Sequence, residues 1–296
     1  MTLVRTLLGA LLACGAFFLV RWIFEARRLA SEKPTPLDLS IGIVTNFFDT
    51  LGIGSLATTT AIFRLFRLMP DELIPGTIIV GDALAVLTQA VLFISVVEVD
   101  PLQMTALIAV CVAGGWLGTG VVTRLSRRAI QLGIGAALMT AAVFMAVGLF
   151  GLFPPGGTAR ALTPAGFAVA LAVNFLLGAL LPLGIGNYAP SLVMFSLLGM
   201  DPKAAFPIMM GSGAFVATVA GVRFLSARRF DPRAALGLAL GGIPGVIAAV
   251  WLVKSLPLGA LRVVVLVVVV YAAVGLLRAG MGRGSGVPDS EPTGTS

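Results

Sequence analysis

A short glycine-containing motif occurs twice in this chain. LGIG at 51–54 is repeated at 183–186, 132 positions later. At that ungapped offset, eleven of the 35 residues from 51 to 85 are identical, and the identities include prolines and glycines in the same order. Apolar composition alone would not align prolines and glycines in this way. The sequence therefore predicts an internal duplication whose two copies each contain a glycine-broken segment inside apolar sequence.

The composition sets the class of protein. Of the 296 residues, 58% are hydrophobic and 11% are charged, whereas a soluble domain carries about a quarter charged residues. Apolar runs of about 20 residues recur along the chain, as membrane-spanning helices require. We therefore predict an all-α polytopic membrane protein. Its net charge of +7 is interpreted as basic loops held at the cytoplasmic face and not as a nucleic-acid interface.

The residue types exclude several chemistries. The chain has no histidine, and its two cysteines, Cys14 and Cys111, lie in separate apolar runs. Haem ligation by histidine, histidine-containing zinc sites and histidine acid–base catalysis are therefore excluded, and no CxxC pair is present. Carboxylates, amides, hydroxyls and backbone dipoles remain. We predict no metal, no cofactor and no enzymatic activity.

The first apolar stretch, within 1–24, predicts a leading transmembrane span with an outer N-terminus. A cytoplasmic linker, 25–36, follows it. The sequence around Cys14 resembles a lipoprotein cleavage box, so a cleaved signal peptide is the alternative. Because apolar sequence continues for nine residues beyond Cys14, an uncleaved span is favoured.

The stretch 37–68 is broken by the first LGIG motif. Its length allows one tilted span or a hairpin that returns to its own side. Lys33 precedes it, and Arg64 and Arg67 end it, so both ends carry the basic residues of a cytoplasmic face. This pattern favours the hairpin.

The remaining spans follow from the same rule. A second hairpin is predicted over 164–199, and the remaining crossings are predicted at 74–97, 102–123, 129–152, 204–222, 234–253 and 258–277. With this topology, 15 of the 20 Lys and Arg residues fall on the inner side. Three crossings per unit is an odd number, so the two units are predicted to be inverted. The predicted divisions are inverted repeat 1 (37–152), an outer linker (153–163), inverted repeat 2 (164–279) and a disordered cytoplasmic tail (280–296).

Inverted repeats with interrupted helices place a transporter's site near the bilayer midplane. In both units the glycines precede a new helix, whose free N–H groups favour an oxyanion. The alternative is that the glycines only allow close helix packing. The candidate substrate-binding residues are Asn46, Gly52, Gly54, Ser55, Thr58, Asn174, Gly184, Gly186, Asn187, Tyr188 and Ser191.

Two acidic residues are candidates for gating or proton coupling. Asp82 lies about eight residues inside a predicted span that has no basic residue, and Asp49 lies just before the first LGIG motif. A carboxyl group inside a membrane is a functional hypothesis by default. The alternative is a protonated side chain that only makes a hydrogen bond between helices.

Several longer segments resemble the sulfite exporter family TauE/SafE. They are TNFFDTLGIGS at 45–55, PDE at 70–72, IPGT at 74–77 and LGMDPKAAFPIMMGS at 198–212. The resemblance covers roughly 40–280. It implies a multi-pass transporter of the bacterial plasma (inner) membrane that exports sulfite or an organosulfonate such as sulfoacetate. Some members carry cysteine at the positions of Ser191 and Gly213, so thiol-dependent handling of sulfur is not expected here.

The function expected from these features is export of a small sulfur oxyanion by alternating access, with the site at the two LGIG breaks. An anion channel and a membrane assembly or scaffold factor stay open as alternatives. The expected partners are the anionic substrate, the lipid bilayer and protons, with no nucleic acid. A homodimer is left open. The C-terminus is predicted to be cytoplasmic.

Overall fold

The structure is a computed structural model that describes residues 2–28, 33–50, 54–152, 157–183 and 187–252, together with most positions from 270 to 281 and two at 266–267. Three of the four residues of each LGIG motif, 51–53 and 184–186, therefore lie outside the described residues. So do most of the predicted span 258–277 and nearly all of the predicted tail.

The described residues form α-helices joined by short turns, with no β-strand among them. The named helices are α1 (Thr2–Arg28), α2 (Pro36–Thr50), α3 (Ser55–Leu65), α4 (Ile74–Val96), α5 (Pro101–Val122), α6 (Arg127–Leu149), α7 (Pro164–Leu180), α8 (Tyr188–Leu197), α9 (Pro202–Ala227) and α10 (Pro232–Leu252). The helix α1 extends to Arg28, so it includes part of the segment predicted as a linker.

Within the described part of the chain, seven helical segments are long and apolar enough to cross a membrane. They are Leu3–Ala26, Asp71–Ser95, Pro101–Val122, Arg128–Leu149, Pro164–Leu183, Lys203–Ala227 and Pro232–Ala249. This confirms the prediction of an all-α polytopic membrane protein.

The helices begin where the sequence supplies caps. Asp100 and Asp201 each accept a hydrogen bond from a backbone N–H of the first turn of α5 and α9, and each is followed by a proline. Thr163 caps α7 in the same way, and Ser126 caps α6. Such residues satisfy N–H groups that have no partner in the helix, and proline fits the first helical position. The turns between spans therefore follow from local sequence.

The helices α4 and α9 form the centre of the molecule. They pack along each other and are the most buried of the candidate spans. The helix α10 packs on α4, and α5 packs on α9. The helix α2 then packs on α10, and α7 packs on α5. These contacts among the six helices are thus preserved when α2, α4 and α5 are exchanged with α7, α9 and α10.

Glycines allow α7 to pack closely on α5, and α2 to pack closely on α10. A Cβ atom on Gly178 of α7 would lie 2.0 Å from the backbone oxygen of Cys111 in α5, and one on Gly118 would lie 2.0 Å from that of Ala179. On the other side, a Cβ on Gly245 of α10 would lie 2.3 Å from the backbone oxygen of Ile43 in α2. Small residues allow helix backbones to approach in this way within membranes.

These contacts also define the register between the two units. Gly42 of α2 lies against the backbone of α10, and Gly178 of α7 lies against the backbone of α5 in the equivalent place. Gly42 and Gly178 are 136 residues apart. The LGIG motifs are 132 residues apart. The first unit therefore has four additional residues, about one helical turn, between this glycine and its break.

Polar contacts gather the loops at two ends of the helices. At one end, Asp71 pairs with Arg64 and accepts a hydrogen bond from Gln131, and Asp38 pairs with Arg233. At the other end, backbone hydrogen bonds join the segment 157–163 to Asp100, Met200 and Asp201. The start of α2 and the end of α3 belong to the first end. The start of α7 and the end of α8 belong to the second.

Candidate functional site

The first interruption separates α2 from α3 against the middle of α4. The helix α2 ends at Thr50 and α3 begins at Ser55, with Gly54 before it at φ 90°. A positive φ is a conformation that glycine adopts and other residues rarely do. Gly54 thus lets the chain turn directly into α3.

The carboxylate of Asp49 occupies the start of α3. Its Oδ1 atom accepts a hydrogen bond from the backbone N–H of Ser55 at 2.6 Å, and its Oδ2 accepts one from Gln89 Nε2 at 2.9 Å. The N–H group of Ser55 was predicted to bind the substrate. In this structure it binds Asp49, because a carboxylate is already placed at the positive end of the helix. The Ser55 N–H is thus occupied by a carboxylate in this structure, and the assignment of Ser55 to the substrate stays a prediction.

Asp82 lies beside this arrangement and is 3% exposed. Its Oδ1 atom accepts a hydrogen bond from Asn46 Nδ2 at 3.0 Å. The same nitrogen donates to the backbone oxygen of Gly42 at 3.1 Å. The other two oxygens of this pair, Asp82 Oδ2 and Asn46 Oδ1, are buried and have no hydrogen-bond partner in the described part of the chain.

The two carboxyl groups interact with each other. Asp49 acts electrostatically on Asp82, and the Ser55 side chain lies near both. In the described residues, no basic side chain forms an ion pair with either. Elsewhere a buried carboxylate has an arginine: Asp71 is 3.0 Å from Arg64. The pair at the first break is therefore different in kind from the ion pairs at the helix ends.

The second interruption, between α7 and α8, has neutral surroundings. Asn187 Nδ2 donates to the backbone oxygen of Met209 in α9 at 3.2 Å. The hydroxyl of Ser191, one turn further along α8, is fully buried and has no hydrogen-bond partner among the described residues. In the whole of 164–227 the only acidic residue is Asp201, which caps α9 at its far end.

Residues that flank the two interruptions border the same hydrophobic cluster. Leu56 follows the first break and Leu183 precedes the second, and both pack against one hydrophobic cluster built on α4 and α9. Asp82 lies eight residues after the start of α4, and Met209 lies seven after the start of α9. At 1.5 Å per residue, Asp82 lies about 12 Å from the start of α4, and Met209 lies about 10 Å from the start of α9. These two helices start at opposite ends. Both breaks thus lie in the interior of the helical layer.

Other predicted residues have different surroundings. Asn174 donates to the backbone oxygen of Leu107 in α5 at 2.8 Å, so it links two helices one turn before Gly178. Asn46 lies one turn after Gly42, so the two asparagines are not equivalent in the two units. The hydroxyl of Thr58 bonds the backbone oxygens of Gly54 and Ser55. Serine and threonine hydroxyls in membrane helices often bond a backbone oxygen of the preceding turn in this way.

Tyr188 packs edge-on against Phe206, with ring centroids 5.5 Å apart. This contact gives Tyr188 a packing role. The predicted residues Gly52, Gly184 and Gly186 lie outside the described residues, and their assignment to the substrate stays a prediction.

The sequence interpretation missed Gln89. This residue is fully buried, and its Nε2 atom donates to both Asp49 and Thr50. A signal was present, since Gln89 follows Asp82 by seven residues and therefore shares its helix face. It is also one of few amides in a predicted span.

No model of a known protein family matches this chain, and no curated protein or solved structure matches it. The resemblance to TauE/SafE therefore rests on the motifs quoted above.

Proposed function

We propose that this chain is a multi-pass exporter of a small sulfur oxyanion, sulfite or an organosulfonate such as sulfoacetate, in the bacterial inner membrane. It works by alternating access between two inverted repeats. The observation that carries the proposal is the pair of chain interruptions with buried polar residues at their flanks, the first packed against α4 and the second against α9. Interrupted helices of this kind form the substrate sites of repeat-built transporters.

The packing supports the inverted repeats. Exchanging α2, α4 and α5 with α7, α9 and α10 preserves the main contacts among these six helices, as an approximate two-fold axis through the α4–α9 contact requires. Each broken segment begins and ends on the same side of the molecule, and the two segments do so on opposite sides. Ile41 and Phe63, at the start of α2 and the end of α3, share one hydrophobic cluster.

The second broken segment behaves in the same way at the other end. Pro164–Leu183 is long enough to cross a membrane by length and composition. However, a Cβ on Gly166 at its start would lie 3.7 Å from a side-chain atom of Leu198, just after α8. Contact between the first turn of α7 and the end of α8 is the geometry of a hairpin.

The anion site belongs at the second break. An anion beside the two carboxyl groups of the first break would be repelled, whereas the second break offers an amide and the free hydroxyl of Ser191 without a nearby carboxylate. Hydroxyls and amides donate to sulfonate oxygens without a fixed charge. The inside-negative membrane potential favours efflux of a monovalent anion by about 2.3 kcal/mol per 100 mV, so export needs no further energy source.

The test is a flux assay with the purified protein in liposomes, using sulfite, sulfate, sulfoacetate and taurine in turn. We expect saturable flux of a sulfur oxyanion. Ser191→Ala should raise the KM roughly 2- to 10-fold, because it removes one hydrogen bond to the substrate. Ser196→Ala, in the last turn of the same helix, is the matched control and should leave KM unchanged.

Each alternative has its own outcome. Flux that rises linearly to high substrate concentration would identify a channel. Absence of flux for all four anions, from a folded protein, would contradict the proposal and favour an assembly factor.

A further inference from the structure

At the first break, every N–H donor of two buried side-chain amides, Asn46 and Gln89, makes a hydrogen bond. Asn46 Nδ2 donates to Asp82 and to Gly42, and Gln89 Nε2 donates to Asp49 and to Thr50. A primary amide has two N–H donors, so the orientation of each amide is determined by its neighbours. The carbonyl oxygen of Asn46 and the second oxygen of Asp82 are left buried without a hydrogen-bond partner among the described residues, and both are acceptors if Asp82 is ionised.

Two buried acceptors, on side chains joined by a hydrogen bond and both lacking a donor, are costly. Each buried polar atom without a partner costs about 1–3 kcal/mol, and more if it is charged. A single hydrogen on Asp82 Oδ2 supplies the missing donor, since a protonated carboxyl group and a primary amide can each donate to and accept from the other. One proton would satisfy both Asp82 Oδ2 and Asn46 Oδ1.

Asp49 has the opposite surroundings. Each of its oxygens already accepts a hydrogen bond, one from the N–H group at the start of α3 and one from Gln89. These donors suit an ionised carboxylate, and so does the positive end of a helix. Two neighbouring carboxyl groups with different donors separate into one charged and one neutral group.

Among the described residues, the charged group that acts on Asp82 is Asp49, and Asp82 also interacts with Asn46 and Ser55. The segments packed against α4 are α1, α2, α3, α9, α10 and the short helical turns Asp71–Leu73 and Leu181–Leu183. Apart from Asp49 and the thiol of Cys14, the charged groups on these segments lie near helix ends or are exposed: Arg5, Arg21, Glu25, Arg27, Arg28, Asp38, Arg64, Asp71, Glu72, Lys203, Arg223 and Arg233.

We infer that Asp82 and Asn46 form a proton-binding site, in which the protonated carboxyl group of Asp82 is held in a two-point pair with the Asn46 amide beside an ionised Asp49. The proton leaves as H⁺ and Asp82 becomes a carboxylate. The two oxygens that shared the hydrogen then repel each other. Because Asn46 belongs to α2 and Asp82 to α4, proton release weakens the attachment of α2 to α4.

This site gives the transporter a proton that can be coupled to movement of the first broken segment. The binding claim stands independently of the substrate, and only the coupling claim rests on the proposed function. The four-residue extension of the first unit supports a separate role, since the extended segment between Gly42 and the first break carries Asn46 and Asp49.

The binding claim is tested by infrared difference spectroscopy of the purified protein, through the C=O stretch of a protonated carboxylic acid. The wild type should show such a band at neutral pH, and Asp82→Asn should remove it. Asn46→Leu should shift the band to higher frequency, because the hydrogen bond is lost. Asp71→Asn is the matched control and should leave the band in place.

A band that survives Asp82→Asn, or that disappears in Asp49→Asn alone, would overturn the assignment. A band that Asn46→Leu leaves at its original frequency would overturn the pairing. Asp82→Asn is nearly isosteric, and its folding is checked by its elution as a single species in detergent.

The coupling claim is tested by liposome flux of an alkylsulfonate, whose charge does not change near neutral pH. With the membrane potential clamped at zero, wild-type flux should respond to an imposed pH gradient, and Asp82→Asn should transport without this response. Wild-type flux that ignores the gradient would overturn the coupling, even if the infrared band is present. If no anion is transported at all, the proposed function fails while the proton site is still decided by the spectra. A response to a sodium gradient and none to pH would also overturn the inference.

Discussion

At the scale of single residues, the position of Gly54 shows how one backbone conformation supports the first break. Its φ is 90°, and a Cβ atom there would meet no atom within 4 Å. Space is therefore available, but the conformation is one that side chains oppose. A substitution at Gly54 therefore reports the cost of backbone strain alone, whereas replacing a glycine usually changes backbone strain and packing together.

We predict that Gly54→Ala lowers the free energy of unfolding by about 1–3 kcal/mol, the cost of holding a non-glycine residue in a rarely populated conformation. Thermal unfolding in detergent measures the change. Gly9→Ala is the control, because Gly9 of α1 also has nothing within 4 Å of its Cβ position and no positive φ. That variant should be neutral or stabilising, as expected for a helix interior. Equal effects of the two changes would mean that strain at Gly54 does not matter.

At the scale of elements, the contact between α5 and α7 depends on backbones that nearly touch. Gly178 has no room for a side chain, since a Cβ would lie 2.0 Å from the backbone oxygen of Cys111. Relief would need one whole helix to move. By contrast, a Cβ on Gly133 of α6 would meet only a terminal methyl of Leu183 at 3.2 Å, and a side chain end can rotate away.

We therefore expect Gly178→Ala to destabilise the protein by about 1–3 kcal/mol or more through overpacking. Gly133→Ala should cost less than half as much. The melting temperatures of both variants in the same detergent provide the comparison. A Gly178→Ala protein as stable as the wild type would show that α5 and α7 can separate without penalty.

At the scale of the whole molecule, charged and polar side chains sort the loops onto two ends. The arginine-containing turns around Arg64, Arg128, Arg228 and Arg233 share one end, where Arg128 also reaches the backbone of Gly280. The loop at 157–163 and the turn at Asp100 share the other. Since basic loops stay in the cytoplasm, we propose that the first end faces the inner side.

This assignment predicts the accessibility of single cysteines in a background without Cys14 and Cys111. Cysteines at Lys33 and Arg67 should react with an impermeant thiol reagent only after the membrane is opened, because a hairpin lies between them. Cysteines at Arg160 and Lys203 should react in intact cells. Labelling of Lys33 and Arg67 from opposite sides would contradict both the hairpin and the inversion of the repeats.

Sequence alone was sufficient for the class of the protein, because hydropathy and span length are local properties. The caps Asp100, Thr163 and Asp201 likewise follow from adjacent residues. The composition of the first break was not predictable in this way, since Asn46 and Asp82 are 36 residues apart and meet only because α2 and α4 are held together. The same packing places Asp49 on the Ser55 N–H group, which was expected to bind the substrate. It also gives Asn46 and Asn174 non-equivalent positions in the two units. Local pattern determines which segments are helical and apolar. Only the tertiary structure decides which buried polar groups find a partner, because each partner is supplied by another helix.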